Sequence, residues 1–259
     1  MKVDLHNHTT LCNHATGTLE EYLLEAIKKN TKVFGFSDHA PMNFDTKYRM
    51  NFTQMLWYES EVKRLQKQYQ GTIEVRLGYE VDFLEGHMDK RVLNADVDYL
   101  IGSIHFLNGW GFDNPEFLDG YKTQDIDEIW KLYFLQVVKM AESGYFDIVG
   151  HLDLIKVFKF YPKKPVLSYA HKALEAIKEN GMVLELNTAG YDKAVKEPYP
   201  SLELLKLANK LEIPITFGSD AHKPSSVAKY TKKIEAFARE ANYSRCVSFR
   251  KKEREFLDF

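Results

Sequence analysis

Seven short apolar runs, each followed by a stretch of helical periodicity, recur near residues 2–7, 32–37, 72–79, 97–104, 146–150, 182–187 and 214–219. Runs such as Asp98-Tyr-Leu-Ile-Gly102 and Met182-Val-Leu-Glu-Leu186 are nearly continuous in apolar character, which suits parallel strands covered on both faces. The intervening stretches carry helix punctuation. Thr18-Leu-Glu-Glu21 is a capping box, and Leu19, Leu23, Ala26 and Ile27 then share one face. Between Asp125 and Ser143, Ile126, Ile129, Trp130, Tyr133, Phe134, Val137 and Val138 follow i, i+3, i+4 spacing, and Gly144 supplies a stop. Further helices fit 53–70, 165–180, 201–211 and 225–240. No Pro/Gly/Ser-rich linker interrupts the series, so the pattern predicts one α/β domain over residues 1–259. The tail from Asn242, with Tyr243, Phe249, Phe256 and Phe259, reads as a packing segment or solvated end.

Charge and hydropathy narrow the function classes. A net charge of -2 argues against a general nucleic-acid surface, while leaving room for a local basic pocket that takes one phosphate. No run approaches the roughly 18 apolar residues of a membrane helix. The start, MKVDLHNH, lacks the apolar core of a signal peptide, and Cys12 and Cys246 form no CxxC pattern. A cytoplasmic protein without membrane or nucleic-acid partners is expected. GxSxG, GxxxxGK[ST] and strand-following GxGxxG motifs are absent.

The histidines carry the chemistry. His6 and His8 close the first apolar run, His39 follows the second and Glu80 closes the third. His105 follows the fourth, His151 the fifth, and Asp220 with His222 the seventh. In a closed parallel barrel those ends ring one mouth, where active sites collect, whereas an open sheet would gather a ligand at one switch point. The strand period of two puts His6 and His8 on one side with Asn7 opposite, so both imidazoles can serve one ion. Asp220-Ala-His222 and His151-Leu-Asp153 repeat that spacing. Glu80 has two carboxylate oxygens and can bridge two ions. A lone histidine is more often a core or surface residue, and an isolated HxH is weak evidence. His87 and His171 take that ordinary reading, as structural or solvated residues.

These motifs together resemble the PHP (polymerase and histidinol phosphatase) family. Asp4-Leu-His-Asn-His8 with His14 is similar to its first motif, and Ser37-Asp-His39 to its second. Gly78-Tyr-Glu80, Gly102-Ser-Ile-His105, Gly150-His-Leu-Asp153 and Gly218-Ser-Asp-Ala-His222 complete the set. The resemblance spans residues 4 to 222 and implies a distorted (β/α)7 TIM-like barrel with three divalent ions, zinc, manganese or iron. It implies one ion on His6, His8, Glu80 and Asp220, a second on Glu80, His105 and His151, and a third on His14, His39 and His222. Glu80, Asp220 and His222 are thereby implied in catalysis, with Asp153 and a metal-bound water the candidate proton donors to the leaving group.

Ile104-His-Phe-Leu-Asn-Gly-Trp110, His151-Leu-Asp-Leu-Ile155 and Glu185-Leu-Asn-Thr-Ala-Gly190 resemble the histidinol-phosphatase branch. That implies hydrolysis of L-histidinol phosphate in histidine synthesis. Where the branch pattern carries a phosphate-holding arginine, this chain has Asp192 followed by Lys193. Lys156 and Lys193 are the cations expected on the phosphate, as point charges without a guanidinium fork, and Trp110 is a candidate pocket wall. The Asp192 departure keeps a PHP enzyme for another phosphate ester, such as a nucleotide or sugar phosphate, as the alternative. A non-catalytic metal-binding module is the remote one.

Overall fold

The computed structural model describes residues 1–259. All seven expected strands form: β1 Val3–Asp4, β2 Val33–Phe36, β3 Glu74–Asp82, β4 Tyr99–Ser103, β5 Ile148–Val149, β6 Val183–Asn187 and β7 Ile215–Gly218. They lie parallel in chain order, with registers such as Val3 opposite Val33, Gly78 opposite Tyr99 and Leu184 opposite Ile215. The first and last strands also meet. Leu5 N donates to Phe217 O (2.9 Å), Asp220 N to His6 O (2.8 Å) and His8 N to Ala221 O (3.0 Å). These bonds close the ring at the C-terminal ends of the strands, as a barrel requires and an open doubly wound sheet does not.

The helices lie where the periodicity places them. α1 is Leu19–Lys28, α2 Phe52–Gln68, α3 Ile126–Glu142, α4 Leu167–Glu179, α5 Leu202–Lys210 and α6 Thr231–Glu240. Thr18 and Glu21 form the reciprocal cap ahead of α1. The buried face of α3, from Ile129 through Trp130, Tyr133, Phe134 and Val137, joins a core that runs continuously from Met1 to Phe249. The exception to regular βα alternation is the β3–β4 connection, which holds only the single turn Lys90–Leu93.

The tail is ordered as an antiparallel hairpin, β8 Arg245–Arg250 with β9 Glu253–Asp258. It covers the barrel end remote from the histidines. Lys251 N donates to Asp98 Oδ1 (3.0 Å) and Lys252 Nζ to Asp147 Oδ2 (2.6 Å), both just ahead of strands β4 and β5. Cys246 through Phe249 are buried in succession, so β8 shows no period-two alternation to announce a strand.

Candidate metal centre

Each potential ligand is placed by the end of a strand or the turn beyond it. Glu80, in β3, sits at the centre, fully buried. Its Oε1 accepts from Ser103 Oγ (2.7 Å) and lies 2.8 Å from His151 Nε2 and 3.6 Å from His105 Nε2. Its Oε2 faces the other way, 3.4 Å from His6 Nε2 and 3.6 Å from His8 Nε2. His39 Nδ1 is 3.0 Å from the same Oε2 but out of hydrogen-bonding alignment. One carboxylate therefore divides its oxygens between two imidazole clusters, the arrangement a bridging ligand needs.

Four groups of donor atoms converge within 4.8 Å: His6, His8 and Glu80; Glu80, His105 and His151; His14, His39 and His222; and His8, Cys12 and His222. Asp220 adjoins the first, with Oδ1 3.1 Å from His8 Nε2 and 4.0 Å from His6 Nε2. All nine residues expected as ligands are thus brought together. His87, by contrast, packs 5.0 Å from the Phe44 ring, and His171 is exposed beside Glu175.

Hydrogen bonds at the far ring nitrogens aim the imidazoles. Glu185 Oε1 is 2.7 Å from His6 Nδ1, Asp38 Oδ1 3.2 Å from His8 Nδ1 and Asp82 Oδ1 2.5 Å from His105 Nδ1. His14 Nδ1 donates to Cys12 O (2.8 Å) and His222 Nδ1 to Asp220 O (3.0 Å). Such bonds fix the tautomer and turn the Nε2 lone pair inward. His6 Nε2, His8 Nε2 and His222 Nε2 are buried with no hydrogen-bond partner in the protein. Buried polar atoms seldom stay unpaired, and these rings are neighbours, His8 lying 5.1 Å from His6 and 4.1 Å from His222 between centroids, so the donor set fits divalent cations.

Electrostatics agree. Burial opposes ionisation of Glu80 and Asp220, yet surrounding imidazoles hold both carboxyls well below the usual range. Burial also opposes charge on His6 and His8, but neighbouring carboxylates raise both, His8 to about 9. His39 falls to about 4 through burial, and burial with His8 pushes His222 down. The buried carboxylates thus stay ionised and draw positive charge onto neighbouring imidazoles, the place that divalent cations would take. Cys12 Sγ lies near His8 and His222 but donates to Thr9 O (3.0 Å), and burial with nearby Asp38 pushes its thiol up, away from the thiolate form.

The centre opens into a cavity of about 610 Å³. The profile of the PHP domain matches residues 4–189, a span that takes in seven of these nine residues, from His6 to His151. The chain belongs to the PHP family. A profile described as PHP-associated matches residues 203–242. A Deinococcus radiodurans protein named as a probable histidinol-phosphatase is 42% identical over 229 residues, covering 86% of this chain and 87% of its own. The histidinol-phosphatase of Bacillus subtilis is 30% identical over 274 residues, covering 95% and 99%. A Lactococcus lactis histidinol phosphate phosphatase, solved with zinc, L-histidinol and phosphate, superposes with a TM-score of 0.78. It covers 98% of each chain at 20% identity, a likeness of fold.

Within this PHP barrel the remaining expected site residues divide. Lys193 lines the cavity, exposed and without an ion pair, and Glu80, Asp220 and His222 line it too. Lys156 does not. It is buried, donates to Pro198 O (2.9 Å) and pairs with Asp153 Oδ2 (2.9 Å) and Glu197 Oε1 (3.0 Å). Asp153 is buried with it and accepts from Ser201 N (2.9 Å), so neither reaches the cavity. Trp110 packs edge-on against Tyr121 at 4.8 Å and donates to Phe117 O (3.0 Å), on the rim instead of the wall. Asp192 turns away, to Lys229 Nζ (2.6 Å) and Tyr230 OH (2.6 Å).

The functional residues that sequence reasoning missed are the aiming carboxylates Asp38, Asp82 and Glu185. Asp82 carried a signal: it lies two residues after Glu80 and so on the same strand face. Asp38 and Glu185 give no comparable periodic sign, because their partners lie on other strands.

Proposed function

We propose that this chain is a metal-dependent phosphomonoesterase that hydrolyses L-histidinol phosphate to L-histidinol and phosphate. The observation that carries the reading is the division of Glu80 between two imidazole clusters beside a third, all facing one cavity. Three ions, of zinc, manganese or iron, would be held by His6, His8, Glu80 and Asp220; by Glu80, His105 and His151; and by His14, His39 and His222. When bound, such ions lower the pKa of water toward about 7 and neutralise charge on a phosphoryl group.

The chain's own residues supply orientation and selectivity. Asp38, Asp82 and Glu185 hold His8, His105 and His6 in their tautomers. Lys193 stands in the cavity as an uncommitted cation for a phosphoryl oxygen, a charge contact that strengthens as the reaction centre gains charge. The cavity lining also carries Asp45, Asp113 and Glu116, a complement to the amine and imidazole of histidinol rather than to a neutral sugar. Because Asp192 faces Lys229 and Tyr230, it leaves the phosphate position unobstructed. With Asp153 paired to Lys156 outside the cavity, proton transfer to the departing alcohol falls to groups that do line it.

The whole chain acts as one PHP unit, and a cytoplasmic setting without nucleic-acid partners fits its net charge of -2. No helix is long and apolar enough to cross a membrane. The test is phosphate release from L-histidinol phosphate by manganese- or zinc-loaded protein, beside p-nitrophenyl phosphate, AMP and sugar phosphates. A kcat/KM for histidinol phosphate more than about tenfold above the rest is expected, a margin that site-made polar contacts readily supply. Preference for another ester would keep the metal chemistry and overturn the substrate.

A further inference from the structure

Tyr199 is buried to within 1% of full coverage, lines the metal cavity, and has a hydroxyl with no hydrogen-bond partner in the protein. Other buried hydroxyls also lack partners, at Tyr22, Thr31, Thr216 and Ser248, but none of those residues lines the cavity. A phenol so placed calls for an acceptor, since an unmade buried hydrogen bond is costly.

The surroundings hold the ring firmly. Tyr199 exchanges two backbone hydrogen bonds with Asn187, at 3.0 and 2.7 Å, which fasten it to the end of β6. Its ring stands edge-on to His151, 6.4 Å between centroids. Lys156 Nζ lies 5.3 Å from the ring centroid, fixed by Asp153, Glu197 and Pro198. Behind the ring is Gly190, where a Cβ would run into Glu197 O and come within 3.0 Å of the ring. The buried lysine thus acts on the cavity indirectly, by bracing the segment that presents Tyr199.

We propose that Tyr199 is a catalytic residue whose hydroxyl donates a hydrogen bond to a non-bridging oxygen of the substrate's phosphoryl group, on the His151 side of the cavity. The proposal rests on the cavity being a phosphoester site, but not on which alcohol the phosphate esterifies. A phosphoryl oxygen is anionic and gains charge demand in the transition state, so a preorganised donor there favours binding and turnover together.

The test is Tyr199→Phe in the full-length, metal-loaded protein, which removes the hydroxyl and keeps the ring. Metal content and melting temperature should hold, since no protein hydrogen bond is lost. Inorganic phosphate binding, read by calorimetry, should weaken, and kcat/KM should fall by about 10- to 100-fold on both histidinol phosphate and p-nitrophenyl phosphate, the usual scale for a donor to a charged group. Unchanged phosphate binding and turnover would overturn the proposal. So would a loss confined to histidinol phosphate, which would put the hydroxyl on the alcohol half, or a fall in melting temperature, which would make its role structural. If the unaltered enzyme hydrolyses only p-nitrophenyl phosphate, the assigned substrate fails while the Tyr199 test still reads. If it hydrolyses neither ester, phosphate binding alone decides.

Discussion

Glu185 joins two ligands of the centre: its Oε1 lies 2.7 Å from His6 Nδ1 and its Oε2 accepts the backbone N–H of His151 at 2.6 Å. One carboxylate on β6 thus sets the ring angle of a histidine just after β1 and the backbone path that presents a histidine after β5. Gly218 makes room for it, since a Cβ there would collide with Glu185 Oε1.

Replacing Glu185 by Gln keeps the size but puts an amide donor against one of two donors. Removal of such a partner costs about 10- to 100-fold in metal affinity. Glu185→Gln is therefore expected to lose metal on dialysis against a mild chelator while unaltered protein retains it, as read by elemental analysis. Equal retention would show that the carboxylate is dispensable for aiming His6.

His14 is the exposed member of its cluster, held through a single bond from Nδ1 to Cys12 O. His14→Ala should lower the bound-ion count by one and reduce kcat by at least about 100-fold, on the scale of losing a charge-stabilising group. Full activity with one ion fewer would remove the third cluster from the mechanism.

Lys156 and Lys193 should separate cleanly. Lys156→Met leaves the buried Asp153 carboxylate without its cation, a loss of about 3–5 kcal/mol in denaturant unfolding. Lys193→Met should leave stability within about 0.5 kcal/mol, as surface substitutions do, and lower kcat/KM instead. Asp192→Ala, which severs only exposed contacts with Lys229 and Tyr230, should change neither much.

Metal removal should expose a pH dependence. Without ions, burial opposes charge on His8 and His105, but carboxylates outweigh it: Asp220 and Asp38 raise His8 to about 9, and Asp82 with Glu80 raises His105 to about 10. Unfolded imidazole titrates near about 6.5. A folded pKa above the unfolded one gives stability that is full below about pH 6.5 and lost as pH rises through about 9 to 10. The melting temperature of metal-free protein should therefore fall across that range. Metal-loaded protein should lack this fall and bind ions more tightly as pH rises, because each ion displaces protons. A flat curve for metal-free protein would contradict the assignment.

Much of the centre was legible in the chain because strand ends carry it. His6 and His8 are two residues apart at the end of the first apolar run, just beyond β1, and Glu80, His105 and His151 each close or follow an apolar run, so local periodicity predicts a shared mouth. The three ligand groupings came from family resemblance, and the geometry assembles the same residues. Lys156 and Trp110 were misplaced for one reason: sequence proximity to a motif says nothing about which way a turn carries a side chain. Lys156 follows His151 by five positions, yet its turn directs it inward to Asp153 and Glu197.

By itself, the sequence determined the βα alternation, the seven strands and the histidines at their ends, because hydrophobic period and residue type are local properties. Only the tertiary structure decided that β1 and β7 meet to close the ring, that Glu80 faces two clusters, and that Asp38, Asp82 and Glu185 stand behind the imidazoles. Those relationships join residues up to 214 positions apart, as the bond from Asp220 N to His6 O illustrates, and no local pattern encodes a contact whose partner lies on another strand.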